Sequence, residues 1–553
     1  MCRKNYKGVF IMQEYLKEYE KWLSDSYISD EDKNILKNMS EEEKMDSFYT
    51  SLTFGTGGIR GKIGLGTNRM NIYLIRKVTQ GIANYLLDNY EEKAKKQGVV
   101  IAYDPRNMSK EFACNTAKVF IANGIKAYIF DGVRTTPELS YAIRKLGCMV
   151  GIVITASHNK KEYNGYKVYF EDGAQIVEPH ASRIINEIQN INSFSCVKYD
   201  ENAKINILDD SIDKSYLEDL KSLTINEITW NDKLNVVYTP LHGAAGETVY
   251  KLLTDMGYNV KIVENQFKPD GTFPTIAYAN PEDPKSFEQA IKVADDNTDI
   301  LINNDPDSDR IGVCVKDKDK YHYISGNELG MLMIDYILNY KKDIKNNSTI
   351  VTTIVSTPMV DNIKNIRVIK TLTGFKYIGE KIKQFEEGAL NGSFLFGFEE
   401  SFGMLYGSFT RDKDGVLGAM LVCEMAAFYK RRGSNLLKEL DKVYEKYGRY
   451  KSGVINITLE GIEGKKKIND VMNFYRENIK NEIFFKKIVK KIDYLEETGL
   501  PKENVISLKL EDDTHIIVRP SGTEPKIKFY IYVNLDKNSN LDEYINNLKA
   551  TVK

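Results

Sequence analysis

The stretch Thr155-Ala156-Ser157-His158-Asn159 follows a short β-branched apolar run, 150–154, and precedes a second strand pattern at 166–170. Ser157 therefore falls on a loop at the carboxyl end of a buried strand, where open α/β sheets place their chemistry. His158, Lys160, Lys161 and Lys167 crowd the same stretch. A serine among cations suits a hydroxyl that carries phosphate, because a phosphoserine brings close to two negative charges at neutral pH. Taken alone, the stretch reads equally well as a polar turn whose serine bonds its own backbone.

Three loops downstream have matching chemistry. Asp305-Pro306-Asp307-Ser308-Asp309-Arg310 lies between apolar runs at 300–302 and 311–313. Carboxylates at alternate positions of a tight turn aim oxygens at one hard cation and leave room for a phosphate oxygen, as Mg²⁺ prefers. An EF-hand is excluded, since position six is Arg310 and position twelve is Lys316. Gly397-Phe398-Glu399-Glu400-Ser401-Phe402-Gly403 offers carboxylate and hydroxyl together, a pairing that holds sugar hydroxyls, although a polar turn explains it as well. Arg519-Pro520-Ser521-Gly522-Thr523-Glu524-Pro525-Lys526 collects side-chain and backbone donors suited to an anion. Upstream, Phe54-Gly55-Thr56-Gly57-Gly58-Ile59-Arg60-Gly61 offers Arg60 to a phosphate, but a flexible turn is the simpler expectation for it. Thr371-Leu372-Thr373-Gly374-Phe375-Lys376 is a further loop at a helix start, and Arg411-Asp412-Lys413-Asp414-Gly415 adds charge ahead of a helix at 416–430.

The elements that must position these loops repeat one plan. Strand, loop, helix and strand follow one another at 99–130, again at 234–263 and again at 349–369, with helices expected near 110–123, 246–256 and 359–364. This argues for three similar α/β units with mixed or parallel sheets. Beyond residue 450 the alternation at 454–459, a helix near 465–479 and strands at 505–510, 515–518 and 527–533 indicate a smaller antiparallel α+β domain. The expected domains are 1–207, 208–325, 326–447 and 448–553.

Composition narrows the class. With 77 basic and 78 acidic residues the net charge is −1, so no basic field invites nucleic acid. Six scattered cysteines without a C-x-x-C pair give neither a zinc ribbon nor a disulfide framework, which fits a reducing cytoplasm. No apolar run approaches the ~18 residues of a membrane span. The apolar core 9–12 is too short for a signal peptide, and Met12 is the expected natural start.

Together the motifs T-A-S-H-N, D-P-D-S-D-R, G-F-E-E-S-F-G and R-P-S-G-T-E-P, in that order, resemble the α-D-phosphohexomutase superfamily over about residues 45–535. The phrases at 54–61, 102–106, 163–169 and 373–376 are most similar to its phosphoglucomutase/phosphopentomutase branch, of the bacterial α-phosphoglucomutase type. The resemblance implies three α/β domains and a smaller α+β domain around a central cleft, one motif from each. It implies that Ser157 is the phosphoserine and that Asp305, Asp307 and Asp309 hold one Mg²⁺ with the Ser157 phosphate. Arg60, His158, Lys167 and Arg310 would surround the transferring phosphoryl group, with Lys167 and His158 as candidates for proton transfer. Glu399 and Ser401 would grip sugar hydroxyls, and Thr373, Gly374, Phe375 and Lys376 would form the substrate-recognition loop. Arg519, Ser521, Gly522, Thr523 and Lys526 would hold the non-reacting phosphate.

The implied activity is reversible conversion of glucose 1-phosphate to glucose 6-phosphate, with glucose 1,6-bisphosphate as intermediate and activator. The expected partners are small sugar phosphates, for a monomer or homodimer. Phosphopentomutase, phosphomannomutase, a serine-nucleophile phosphatase and an inactive phosphosugar-binding paralogue are the alternatives. Two positions depart from the family pattern. Lys160 stands where a proline is usual, and Phe398 separates Gly397 from Glu399.

Overall fold

The computed structural model describes residues 4–55, 57–226, 233–318, 320–459, 461–521, 526–537 and 540–552. The chain divides into two compact units, Met1–Tyr323 with Gly403–Ala427 and Ile324–Phe402 with Phe428–Lys553.

The first unit holds two mixed sheets. Strands β1 (Gly58–Lys62), β2 (Val99–Tyr103), β3 (Ala127–Phe130), β4 (Val150–Ile154), β5 (Tyr163–Phe170) and β6 (Asn206–Leu208) lie in the order β1-β5-β4-β2-β3-β6. β2 runs parallel to β3 and β4, whereas β5 runs antiparallel to β4 and β1. Every residue of β2 and β4 is buried, as continuous apolar runs in a covered sheet require. The helix Thr136–Leu146 is fixed at both ends: the Thr135 side chain accepts from the Glu138 N–H, Pro137 sits in the first turn, and Gly147 ends it at φ +66°.

One expectation changes here. The glycine-rich stretch is not wholly a turn, because Gly58–Lys62 forms the edge strand β1 against β5. The reason is close approach: a Cβ at Gly58 would lie 2.2 Å from the Tyr166 carbonyl oxygen. Thr56 lies outside the described residues.

The second sheet contains β7 (Asn235–Thr239), β8 (Asn259–Ile262), β9 (Ile300–Asn304), β10 (Ile311–Asp317) and β11 (Lys320–Ile324), ordered β11-β10-β9-β7-β8. β9 and β10 pair antiparallel with Asn304 opposite Ile311, so residues 305–310 are their connecting turn.

In the second unit β12 (Ser348–Thr353) runs parallel to both β13 (Arg367–Thr371) and β14 (Ser393–Phe398). The helix expected at 359–364 is only a 3₁₀ stretch, Pro358–Asn362, because Asn365 at φ +65° turns the chain toward β13 before a second turn forms. The short strand β15 (Met404–Tyr406) belongs to the first unit. The chain ends in an antiparallel sheet of β16 (Tyr450–Thr458), β17 (Glu482–Ile483), β18 (Lys486–Asp493), β19 (Ile506–Leu510), β20 (His515–Pro520) and β21 (Lys526–Asn534), ordered β16-β21-β20-β19-β18-β17. Ile506, Leu508 and Leu510, with Ile516 and Val518 and with Ile527, Phe529, Ile531 and Val533, form its buried face at a period of two. The β17–β18 hairpin and the final helix, Leu541–Ala550, are additions to the expected elements; Asn540 caps that helix, and Leu541, Tyr544 and Leu548 form its buried face.

Phe398, one of the two departures from the family pattern, is core. It is fully buried, stacks near Phe396, and its ring faces Gly330 of the helix Gly326–Tyr340, where a Cβ would lie 2.3 Å from Phe398 Cδ2. Gly330→Ala should therefore overpack this contact. We expect a loss of about 1–3 kcal/mol, less the modest gain from the better helix former, read from urea unfolding midpoints.

Candidate active site

Ser157 ends the β4 strand region in a left-handed conformation, φ +51°, with 2% of its surface exposed. Its N–H donates to Thr155 Oγ1 at 2.7 Å, and the Thr155 hydroxyl in turn donates to Asp104 Oδ2 at 2.6 Å. The Ser157 hydroxyl donates to Asp305 Oδ2 at 2.6 Å and lies 3.2 Å from His158 Nδ1. The two sheets of the first unit thus bring together, through a direct bond, residues 148 positions apart.

Around that bond the acidic turn folds tightly. One carboxylate oxygen from each of Asp305, Asp307 and Asp309 falls within 4.8 Å of the others, and all three residues are buried. Lys167 Nζ lies 2.8 Å from Asp307 Oδ2 and 3.4 Å from Asp309 Oδ2. The Arg310 N–H donates to Asp305 Oδ1 at 3.1 Å, while the Arg310 guanidinium reaches Glu282 at 2.5 Å. Asp307 Oδ1 and Asp309 Oδ1 remain buried without a hydrogen-bond partner among the described residues. Two orphaned anionic oxygens beside a third carboxylate and a hydroxyl are a donor set that fits a hard divalent cation.

Burial, reinforced by Asp307 and Asp309, raises the Asp305 carboxyl well above the usual carboxylate range. Burial acts the same way on Asp307, but Lys167 overrides it and holds that carboxyl low. Burial disfavours the Lys167 ammonium, yet Asp307 and Asp309 more than compensate and raise its pKa. His158 is pushed well below its ordinary value by burial and by the positive charges of Arg310 and Arg60, so its imidazole is neutral at physiological pH.

Of the remaining residues expected here, Arg60 is exposed and donates to the Asn159 side chain at 3.1 Å, which keeps it beside the serine loop. The structure adds groups that the sequence reading did not assign. Lys413 Nζ lies 3.2 Å from Asp309 Oδ2 and 3.1 Å from Asp412 Oδ1. The stretch 411–415 shows only as charge before a helix; nothing in it indicates which charge turns inward. Thr136, first residue of its helix, clamps Asp307 twice, hydroxyl to Oδ2 at 2.9 Å and N–H to the carbonyl at 2.9 Å. Gly415 donates to the Ser308 carbonyl at 3.0 Å, and a Cβ there would sit 2.5 Å from the Arg310 carbonyl oxygen.

The second unit assembles its own candidates. The Gly374 N–H donates to Glu399 Oε1 at 2.9 Å, joining the loop of Thr373, Gly374, Phe375 and Lys376 to that of Glu399 and Ser401. Phe375 is buried at the start of the helix Phe375–Glu386, so it seats the loop rather than presenting a ring to solvent. Arg519 Nε donates to Glu503 Oε1 at 2.9 Å, and the Ser521 N–H donates to the Lys526 carbonyl at 2.8 Å across the mouth of the β20–β21 connection. Gly522 and Thr523 lie outside the described residues.

A buried serine bonded to one of three clustered carboxylates, at the ends of strands in α/β sheets, is a site suited to phosphoryl transfer. Family models described as phosphoglucomutase/phosphomannomutase, alpha/beta/alpha domains I, II and III, match residues 51–194, 214–318 and 325–447. The chain belongs to this family, the α-D-phosphohexomutases, and is of the phosphoglucomutase type. It is 37% identical to the phosphoglucomutase of Staphylococcus aureus strain USA300 over 542 residues, which cover 94% of this chain and 96% of the relative. Among solved structures, a putative phosphomannomutase from Thermus thermophilus has TM-score 0.68 at 19% identity, covering 90% of this chain and 99% of that one. The open form of the Paramecium phosphoprotein pp63/parafusin, a phosphoglucomutase, has TM-score 0.67 at 19% identity, covering 88% and 91%. These two likenesses are likenesses of fold.

Behind the acidic turn lies a titrating group. Asp414 is fully buried, accepts from the Leu417 N–H at 2.8 Å and from the Tyr216 hydroxyl at 2.8 Å, and is pushed up by burial to about 7. An unfolded aspartate titrates near ~3.9, so folding takes up a proton between that pH and about 7. The resulting stability is full in acid and is lost as pH rises through that window. Asp414→Asn removes the titration. Its stability relative to wild type should rise by on the order of 2 kcal/mol or more between pH 4.5 and 7.5, measured by urea unfolding at both pH values.

Proposed function

We propose that the protein interconverts glucose 1-phosphate and glucose 6-phosphate by way of phosphorylated Ser157 and a bound glucose 1,6-bisphosphate. The observation that carries this reading is the 2.6 Å bond from Ser157 Oγ to Asp305, inside a buried cluster with two orphaned carboxylate oxygens. Phosphoserine gives its phosphoryl group to the free hydroxyl of the sugar monophosphate. The bisphosphate reorients, and Ser157 takes back the other phosphate.

Asp305, Asp307 and Asp309, with the oxygen of Ser157, are the residues that would hold Mg²⁺. The cation's contribution is to neutralise charge on the phosphoryl group. Lys167 adds a positive charge fixed by two carboxylates, and Arg310, at the end of the acidic turn, and Arg60, on β1, add two more. The first transfer takes a proton off the attacking sugar hydroxyl and delivers one to Ser157 Oγ; the second takes a proton off Ser157 Oγ and delivers one to the sugar oxygen that leaves phosphorus. His158, neutral and 3.2 Å from Ser157 Oγ, and Lys167 are the groups we assign to these movements. Glu399 and Ser401 hold the sugar hydroxyls, and the 373–376 loop, bonded to Glu399, selects the substrate. Arg519, Ser521, Gly522, Thr523 and Lys526 retain the second phosphate, which prevents the bisphosphate from leaving between the two steps.

The boundaries 1–207, 208–325, 326–447 and 448–553 are the domains we assign to this machinery. A cytoplasmic setting is supported by six cysteines without pair spacing. Either a monomer or a homodimer accommodates the reaction, since every role falls on this chain.

Initial rates with Mg²⁺ and a trace of glucose 1,6-bisphosphate test the reading on glucose 1-phosphate and ribose 1-phosphate side by side. We expect preference for the hexose. Preference for the pentose would make the protein a pentomutase, and free phosphate as the main product would make it a phosphatase. Ser157→Ala should abolish turnover with an unchanged circular dichroism spectrum, and chelation of divalent cations should abolish wild-type turnover reversibly. Full activity in Ser157→Ala would overturn the assignment.

A further inference from the structure

Directly beneath the serine loop, four backbone carbonyls converge on one side chain. The Arg106 guanidinium donates to the carbonyls of Ser157, Asn159 at 2.5 Å, Lys160 at 2.8 Å and Tyr163 at 3.2 Å. Arg106 is 2% exposed and is itself anchored. Its Nε stands 3.2 Å from Asp104 Oδ2, and its own N–H donates to Asp104 Oδ1 at 3.0 Å. Asp104 closes the circuit, accepting from Thr155 Oγ1 at 2.6 Å and from Ser109 Oγ at 3.0 Å. The loop is therefore bonded at both ends to a single buried ion pair at the end of β2.

From this geometry we infer that Arg106 is a positioning residue for the phosphoryl-transfer step, through its hold on the backbone of Ser157. The inference rests on the function proposed above. Ser157 is not glycine, yet it occupies the left-handed region at φ +51°. Such a conformation costs about 1–2 kcal/mol and persists only where the surroundings over-determine it. Two bonds do so at this residue: Thr155 accepts its N–H, and Arg106 fixes its carbonyl. Rotating either peptide plane would swing Oγ away from Asp305. Four carbonyl dipoles pointing inward also repel one another unless a cation with several donors sits between them. A planar guanidinium supplies five donors in a fixed fork, whereas a lysine ammonium is a compact point charge that cannot span them. Lys160, which replaces the usual proline, contributes its carbonyl to this clamp while its side chain is exposed.

Arg106→Lys tests the inference, because it keeps a positive charge beside Asp104 and loses only the fork. Wild type and variant are compared for kcat and KM on glucose 1-phosphate, for thermal midpoint, and for amide hydrogen exchange in peptides covering residues 155–165. Rates are normalised to folded enzyme. We expect kcat to fall by about 100-fold or more, the scale of an ångström misplacement of a reacting group. KM should stay within about threefold, because Arg106 touches only protein and the effect falls on the transition state. Exchange should accelerate at least tenfold within 155–165 and remain unchanged in the flanking strands. A variant with wild-type kcat would overturn the inference. So would a loss that disappears on normalisation to folded protein, or a loss carried by KM. If the variant does not fold, Thr155→Val, which cuts the same circuit on its opposite side, is measured in its place with the same criteria. Absence of sugar-phosphate turnover in wild type would instead count against the proposed function, while the exchange readout would still report the clamp.

Discussion

Three carboxylates within 4.8 Å of one another, in a turn that is almost fully buried, set the terms for the first unit. At an effective dielectric of about 20, two unit charges that close repel by roughly 3–4 kcal/mol. Such a turn exists only if other elements bring it compensation. Lys167 comes from β5, Thr136 from a helix N-terminus of the first sheet, and Lys413 from the segment that returns at 403–427. The fold of the first unit is in this sense a device for holding a charge cluster that would otherwise come apart. The same cluster is the natural seat for a divalent cation.

That constraint explains why the strands run as they do. The antiparallel turn from β4 to β5 brings Lys167 back beside the end of β4, so that the nucleophile and its principal cation flank one loop. The register of β9 on β10 leaves residues 305–310 as a turn and nothing more. Helix Thr136–Leu146 contributes its capped, positively polarised end to the Asp307 side of the turn. Beneath the serine the neutral and ionic bonds of Asp104 and Arg106 do for the backbone what the lysines do for the carboxylates. Each fixes a group in a position it would not adopt by itself.

Much of this was legible in the chain itself. Apolar runs of five residues announced β2 and β4, and a run of three announced β9, because burial on both faces leaves a recognisable composition. The acidic turn announced itself because alternate carboxylates have few other uses. The edge strand β1 was hidden by its glycines, which serve close approach, Gly58 to the Tyr166 carbonyl and Gly61 to the Leu52 side chain. Phe398 looked like an intrusion into a sugar-binding loop, and it is instead the last core residue of β14. The difference lay in Gly330, 68 residues earlier, which makes room for its ring.

The sequence by itself determined the local chemistry: which loop carries the hydroxyl, which the carboxylates, and which elements flank them. These follow from short-range patterns, since strand burial, turn residues and helix caps are written within a few positions of where they act. Tertiary structure alone decided which charges meet. Lys413 was one of four charged residues in a row, and only its 3.2 Å approach to Asp309 gives it a role. Arg106 was part of a familiar phrase, and only the convergence of four carbonyls on its guanidinium shows what it holds. Hydrogen bonds and ion pairs act over about 3 Å, and neighbours at that distance here are separated by 50 to 150 residues of chain, for which sequence carries no local signal.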